Sequence, residues 1–99
     1  MTNAKEEFLK KIDCKAKVKC AGIFLDIEIG IIKKILKVNY TNEDYNSFLE
    51  SLDFNYDVGC DDLYGMIWLE DGNWFERENW EGHQWWQYRY SPEIYKECL

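Results

Sequence analysis

The chain has 99 residues and a single proline, and 46% of its residues are hydrophobic and 31% are charged. This length and composition exclude a largely disordered protein and are typical of one domain with a single core. Residues 1–40 contain nine lysines against five acids and carry +4, whereas residues 41–99 contain three bases against fourteen acids and carry −11. Such an acidic region repels nucleic acid phosphates and attracts basic protein surfaces, although charge of this kind often serves only solubility.

Cysteine usage and the N-terminus bear on the cellular compartment. No Cys-x-x-Cys pair occurs, and the first residues are charged where a signal peptide needs an apolar run. We therefore expect a cytoplasmic protein with reduced thiols, although spacing alone leaves a Cys14 to Cys98 bridge open. No window of about 18 apolar residues is present, so no membrane span is expected. The four cysteines are Cys14, Cys20, Cys60 and Cys98.

The first apolar pattern predicts a short helix. Asn3 followed by Glu6 is a helix start signal, and the helix is expected to end near Asp13. Between residues 17 and 29 the apolar residues then alternate with period two, as in a β-strand. The parity changes at Ala21-Gly22, and we predict a β-bulge there, because one extra residue turns the following side chains onto the other face.

A second strand and a second helix follow. Gly30 marks a turn, and the alternation from Ile32 to Tyr40 predicts a strand that forms a hairpin with the first. Thr41 and Asp44 then have the spacing of a helix cap. The helix that follows carries apolar residues at spacings of three and four, namely Tyr45, Phe48, Leu49 and Leu52.

Residues 63–90 contain all five tryptophans and predict three short strands joined by turns at Asp71-Gly72 and Glu81-Gly82. A two-residue turn at Asp71-Gly72 would place Trp68 opposite Phe75, whereas a three-residue turn would shift the pairing by one residue. Both registers stay open at this point. Because aromatic residues exceed what one face of a small sheet can hide, some tryptophans should be exposed.

Together these elements predict a single α+β domain over residues 1–99, with the order α-β-β-α-β-β-β. We expect an antiparallel sheet of about five strands with both helices packed on one face. The tail from Ser91 begins with the single proline, Pro92, and should pack back onto the domain through Ile94 and Leu99.

Candidate metal ligands occur in the loop before the tryptophan-rich stretch. Asp53, Asn55 and Asp57 have the spacing of the first ligands in an EF-hand calcium loop, but Val58 stands where that loop needs glycine and Tyr64 where it needs glutamate. We therefore expect a solvated acidic loop without a metal. The alternative that stays open is a divalent ion bound near Asp57, Asp61 and Asp62.

No catalytic arrangement is convincing. His83 is the single histidine and has no serine or cysteine near it in sequence, although Cys60 or Cys98 could approach it in space. Glu76 and Glu78 alternate on one strand and share a face, but adjacent acids on a strand are more often simply exposed. We expect a non-enzymatic protein without a cofactor.

The tryptophan-rich stretch favours a protein interface. Tryptophan, tyrosine and arginine often anchor binding, and an acidic rim speeds association with a basic partner. Sites for single-stranded nucleic acid set aromatics in a basic groove, whereas this stretch has only Arg77 and Arg89 as bases, so direct nucleic acid binding is not expected. The predicted partner-binding residues are Trp68, Glu70, Asp71, Trp74, Glu76, Glu78, Trp80, Glu81, Trp85, Trp86, Asp57, Asp61 and Asp62.

A longer pattern runs through the chain after Lys17. It includes the capped helix YTNEDYNSFLESLDF and then Gly65, Ile67, Trp68, Asp71-Gly72, Trp74, Arg77, Gly82, Trp85-Trp86 and Pro92-Glu93-Ile94. This pattern resembles a group of small proteins encoded by phages, prophages and conjugative elements of Gram-positive bacteria. The chain departs from it at Val58-Gly59-Cys60, which is less glycine-rich, and at Tyr95, where another proline is expected.

The resemblance implies a mobile-element origin and no established activity. Such elements encode small acidic proteins that inhibit host defences, including anti-CRISPR proteins, some of which occupy the nucleic-acid-binding surface of a nuclease. Our leading hypothesis is a non-enzymatic inhibitor that binds a bacterial defence nuclease, such as a Cas effector. Two alternatives stay open, a module that sequesters a nucleotide signal in an aromatic pocket and a structural protein whose aromatic face forms a homodimer.

Overall fold

The computed structural model describes residues 1–13, 17–57, 61–92 and 94–99. Its elements are strand β1 (Thr2–Asn3), helix α1 (Ala4–Ile12), strands β2 (Val18–Ile27) and β3 (Gly30–Leu36), helix α2 (Asn42–Ser51), strands β4 (Asn55–Tyr56), β5 (Asp62–Leu69), β6 (Trp74–Trp80) and β7 (His83–Arg89), and a 3₁₀ helix (Lys96–Cys98). The predicted α+β class is confirmed. Strands β1 and β4 form an additional two-stranded sheet that the sequence did not predict.

The main sheet is antiparallel and has the strand order β3-β2-β5-β6-β7. Alternate side chains of each strand point to its inner face, and the buried ones form the core together with side chains from both helices. Phe8 of α1 and Phe48 of α2 meet there with their ring centroids 5.6 Å apart. Both helices therefore pack on the inner face, as predicted, and neither covers the outer face.

Local hydrogen bonds fix both helices where the sequence predicts them. The Asn3 side chain accepts a hydrogen bond from the Glu6 amide at 3.0 Å, and α1 ends at Ile12. Thr41 and Asp44 form a reciprocal capping box in which both hydrogen bonds measure 3.1 Å. Caps of this kind satisfy amide groups that the first helical turn leaves without partners.

The first long strand contains a bulge, but not at the predicted place. The register between β2 and β5 shifts between Val18 and Cys20, so the extra residue is Lys19 and the prediction at Ala21-Gly22 is wrong. Val18 and Ala21 both point into the core, where they are 4% and 2% exposed. The prediction failed because it counted Cys20 as an apolar residue that points into the core with Val18, whereas Cys20 lies on the outer face.

Strand β3 is shorter than predicted, and the C-terminal tail lies elsewhere than predicted. Strand β3 stops at Leu36, and Asn39, with a positive φ of 61°, turns the chain before Tyr40. The Tyr40 hydroxyl donates a hydrogen bond to a backbone carbonyl of β2, which ties this turn to the sheet. The tail does not pack back onto the domain, because Ile94 and Leu99 are 68% and 90% exposed.

The β5–β6 hairpin has the register of a three-residue loop. Trp68 lies opposite Trp74, and the Leu69 amide donates to the Asn73 carbonyl at 2.9 Å. Gly72 has a φ of 89°, the left-handed conformation that such loops require at their last residue. The β6–β7 hairpin closes with a two-residue turn, as the sequence predicts.

Gly65 lies where β5 approaches the backbone of β2. A Cβ atom at this position would sit 2.0 Å from the Gly22 carbonyl oxygen, and Gly65 has a φ of +137°. We expect Gly65→Ala to lower the free energy of unfolding by on the order of 3 kcal/mol, because rotation of a side chain cannot relieve an overlap with backbone. Urea denaturation measures this loss.

Gly22→Ala is the matched control. Its Cβ would meet the nearest atom, in the Phe24 ring, at 3.4 Å, which is ordinary contact. This variant should lose less than about 1 kcal/mol. Equal losses for the two variants would contradict the close approach at Gly65.

Candidate functional site

The five tryptophans divide between the core and the surface. Trp86 lies on the inner face at 2% exposure, so this residue of the predicted interface is not available to a partner. Trp68 and Trp80 are 40% and 68% exposed. Trp74 and Trp85 are half-buried on the outer face. Trp85 and Trp86 are neighbours in sequence, and strand alternation sends them to opposite faces.

The outer face has an apolar half, formed by β3, β2 and β5. Its side chains are Ile31, Ile35, Phe24, Tyr64, Met66 and Trp68. Phe24 and Tyr64 stack across neighbouring strands with ring centroids 5.3 Å apart, and both isoleucines are more than half exposed. Contiguous exposed apolar surface of this kind makes this half a candidate interaction site.

A groove of about 600 Å³ crosses the apolar half at Gly22. Gly22 has no side chain to fill the space between Ile35 on β3 and Met66 on β5, its two cross-strand neighbours. Phe24 and Trp68 also line the groove. Because the lining is largely apolar, the groove suits a hydrocarbon side chain better than a charged group.

The other half of the outer face, on β6 and β7, is charged. Glu76 and Glu78 share this face, as the alternation predicts, and both contact Arg89, whose Nε lies 3.4 Å from Glu76 and whose Nη2 lies 2.6 Å from Glu78. Glu76 also accepts the Trp74 indole N–H at 2.9 Å. These partners suit a solvated ion-pair surface better than proton transfer.

Acidic residues gather at the end of the sheet where β2 ends and β5 begins. Asp26 and Asp62 lie directly opposite each other on these strands. The Asp61 carboxylate accepts a hydrogen bond from the Asp57 amide at 2.9 Å, so these two acids lie close together at this end. Like charges directly opposite each other destabilise a sheet, and their placement here makes this end a candidate site.

The β6–β7 turn brings an exposed tryptophan to the same end. Gln84 on β7 connects the regions, because its Nε2 donates to the Asp61 carbonyl at 2.9 Å and its Oε1 accepts the Leu63 amide at 3.2 Å. We refer to the combined region as the acidic end. It consists of Asp26, Asp57, Asp61, Asp62, Trp80 and Glu81.

The predicted interface is therefore not one continuous patch. The structure brings part of it together at the acidic end, namely Asp57, Asp61, Asp62, Trp80 and Glu81. At the opposite end of the sheet lie Trp68, Glu70, Asp71 and Trp74. The charged half holds Glu76, Glu78 and Trp85. The sequence-based prediction did not include Asp26. Asp26 is two residues from Phe24 on the same strand, and this spacing could have placed both on the outer face.

Sequence reasoning also gave no role to Arg77, which lies beneath α1. Its side chain is 2% exposed, and Nη1 forms an ion pair with Oε2 of Glu7 at 3.0 Å. The Tyr56 hydroxyl accepts from Arg77 Nη2 and donates to Glu7. The guanidinium carbon lies 5.7 and 5.2 Å from the ring centroids of Tyr56 and Trp86. The parity that Arg77 shares with the core residue Phe75 could have revealed this position.

The contacts of this buried cluster indicate a structural role. Burial and the hydrogen bond to Glu7 raise the pKa of the Tyr56 hydroxyl, against the opposing effect of Arg77, so the phenol is protonated at neutral pH. Arg77 Nε makes no hydrogen bond to any described residue. The guanidinium charge is instead held by the carboxylate and two aromatic faces. The cluster joins α1, β4 and β6.

Within the described ranges, no group of three His, Cys, Asp or Glu side chains could hold a metal ion. Cys20 and Cys98 are free thiols. Cys14, Val58 and Cys60 lie outside the described residues, so the interpretations that involve them stay sequence predictions. Neither helix in the described part of the chain is long and apolar enough to cross a bilayer.

No protein-family model, curated protein or solved structure matches the chain. The resemblance to mobile-element proteins therefore rests on the sequence pattern alone.

The two arginines of the sheet should differ sharply in their contribution to stability. Arg77→Ala should lower the free energy of unfolding by about 3–5 kcal/mol, because it leaves Glu7 without its buried partner. Arg89→Ala is the matched control, and it should cost about 1 kcal/mol or less, because its ion pairs are exposed to solvent. Chemical denaturation measures both losses. A similar loss of free energy of unfolding for the two variants would contradict a structural role for the Arg77 cluster.

The Tyr56 hydroxyl should make the fold sensitive to alkaline pH. Its pKa is raised in the folded state, so the stability it contributes is complete below pH 10, the approximate pKa of an unfolded tyrosine, and falls as pH rises above that value. The loss from this one group should approach about 1.4 kcal/mol per pH unit. Tyr56→Phe should flatten the measured dependence between about pH 10 and 11, and an unchanged slope would count against the shift.

Proposed function

We propose that this protein is a non-enzymatic inhibitor that binds a basic surface of a bacterial defence nuclease through its acidic end. The observation that carries the proposal is the position of Trp80, which is 68% exposed and has acidic residues in its own turn and on the neighbouring strand. Tryptophan is the side chain most often responsible for binding energy at protein interfaces. An exposed indole among carboxylates therefore supports an anchored contact with a basic partner.

The surrounding charges support the choice of a basic partner. Asp62 lies at the start of β5 and Glu81 in the turn beside Trp80, with Asp26 on the next strand. Such carboxylates attract a basic site over about 8 Å at physiological salt and raise the association rate. Nuclease grooves are basic because they bind phosphate backbones, so a carboxylate surface competes for the same groups.

The choice of a nuclease, and of a Cas effector as the first partner to test, comes from the resemblance to proteins of phages and conjugative elements. An element that enters a cell exposes its nucleic acid to host nucleases, and a binding protein that occupies their basic groove protects it. The net charge of −7 is consistent with a partner that is a protein and not the nucleic acid itself.

The nucleotide-binding alternative is less well supported. The groove at Gly22 is a concave site with aromatic residues in its lining, but the lining is mainly hydrocarbon with Lys37 among its residues. A nucleotide needs several cationic or amide donors for its phosphates. The geometry therefore favours the protein partner.

Trp80 gives the proposal its sharpest test. Expression of the chain in a CRISPR-positive strain should raise the plating of a targeted phage, and a tagged chain should recover the effector from lysate. Trp80→Ala should weaken the complex by about 2 kcal/mol, or roughly 30-fold in Kd, as truncation of an interface tryptophan typically does. Higher salt should also weaken it, because exposed charges are screened.

Exposed acids on α2 provide the matched control. Glu43→Gln combined with Glu50→Gln removes as much charge as Asp62→Asn combined with Glu81→Gln, but these residues lie on a different element. Only the second pair should weaken the complex. Unchanged phage plating together with a pull-down that recovers no defence protein would overturn the proposal.

A further inference from the structure

We infer that a second copy of this chain covers the apolar half of the outer face, in a face-to-face dimer whose two-fold axis runs along the strands between β2 and β5. This inference goes beyond the inhibitor function and does not depend on it. The axis turns one sheet over the other, so that β2 lies over β5 of the partner and β3 over β6 of the partner.

Within the apolar half, strands β2 and β5 are complementary to each other about this axis. Gly22 and Met66 lie opposite each other on β2 and β5, so the rotation carries Met66 of one copy over Gly22 of the other. The groove of about 600 Å³ above Gly22 then receives an unbranched side chain that adapts to irregular space. Phe24 meets the partner's Tyr64 in the same way, because these residues are also opposite each other.

The charges of the outer face select this axis. Lys33 lies on the outer face of β3, and Glu76 and Glu78 are the outward acids of β6. The proposed rotation places the lysine of each copy over the acidic strand of the other. A two-fold axis across the strands would instead stack β3 on β3 and bring the lysines together, which like-charge repulsion disfavours.

The area of contact fits a stable dimer. At a strand spacing of about 4.8 Å and a rise of about 3.3 Å per residue, four overlapping strands of seven residues give a flat area of about 440 Å². Large side chains stand above that plane, so the accessible area approaches the ~800 Å² that each partner of a standard interface buries.

Like charges at one end of the contact oppose association. The same rotation brings Asp26 near the partner's Asp62 at the margin of the contact, where both are exposed. It also sets the two acidic ends side by side at one end of the dimer. Removal of one of these charges should therefore strengthen the dimer.

Sedimentation equilibrium of the full chain tests the proposal. The wild type should reach twice its mass of 12.0 kDa within a range of about 1–100 µM. Met66→Lys and Lys33→Glu should each weaken dimerisation by roughly 10-fold or more, and Asp26→Asn should tighten it. Lys34→Glu is the matched control and should change little, because Lys34 points to the other side of the same strand. Circular dichroism confirms that each variant is folded.

A zero-length carbodiimide cross-link reports the orientation of the two copies. Within one copy β3 and β6 are three strand spacings apart, about 14 Å, so a link from Lys33 to Glu76 or Glu78 can form only between copies. Mass spectrometry of the dimer band should find this link. A monomer throughout the concentration range, or a dimer that is indifferent to both Met66→Lys and Lys33→Glu, would overturn the inference.

Discussion

Two short helices cover one face of a five-stranded sheet, and the remaining features of this protein depend on that asymmetry. Because α1 and α2 both pack on the inner face, the side chains that point to the outer face are not covered by a helix. Antiparallel sheets commonly solvate such a face with polar residues. Here three strands keep isoleucines and aromatic residues on it, with a groove at Gly22, and this departure is the reason to regard the face as an interface.

The cluster around Arg77 holds α1 against the inner face of the sheet. The guanidinium is out of contact with water and forms an ion pair with Glu7, so moving α1 away would leave both charges without compensation. Tyr56 on β4 hydrogen-bonds to both side chains and brings the small β1–β4 sheet into the same arrangement. The inner face of the sheet is therefore closed to a partner, whereas the outer face and the ends of the sheet are accessible.

Charged and apolar side chains occupy separate regions of the outer face and of the ends of the sheet. The −11 region of the sequence suggests a broad acidic lobe, but Glu76 and Glu78 form ion pairs with Arg89, whereas Asp26, Asp62 and Glu81 lie at the acidic end. The apolar half lies beside them with Lys33 on its outer strand. This separation allows two different contacts, a hydrophobic one across the face and an electrostatic one at the end, to form on one small domain.

The amino-acid sequence was sufficient for features that depend on neighbouring residues. Asn3 and Thr41 cap their helices through amides three positions away, and alternation correctly placed Glu76 and Glu78 on one face. Strand pairing and packing settled the rest: the extra residue at Lys19, the register of Trp68 opposite Trp74, and the pairing of Arg77 with Glu7. The physical reason is visible at Trp85 and Trp86. Strand parity requires that they face opposite ways, but only the packing of the helices determines which of them is buried.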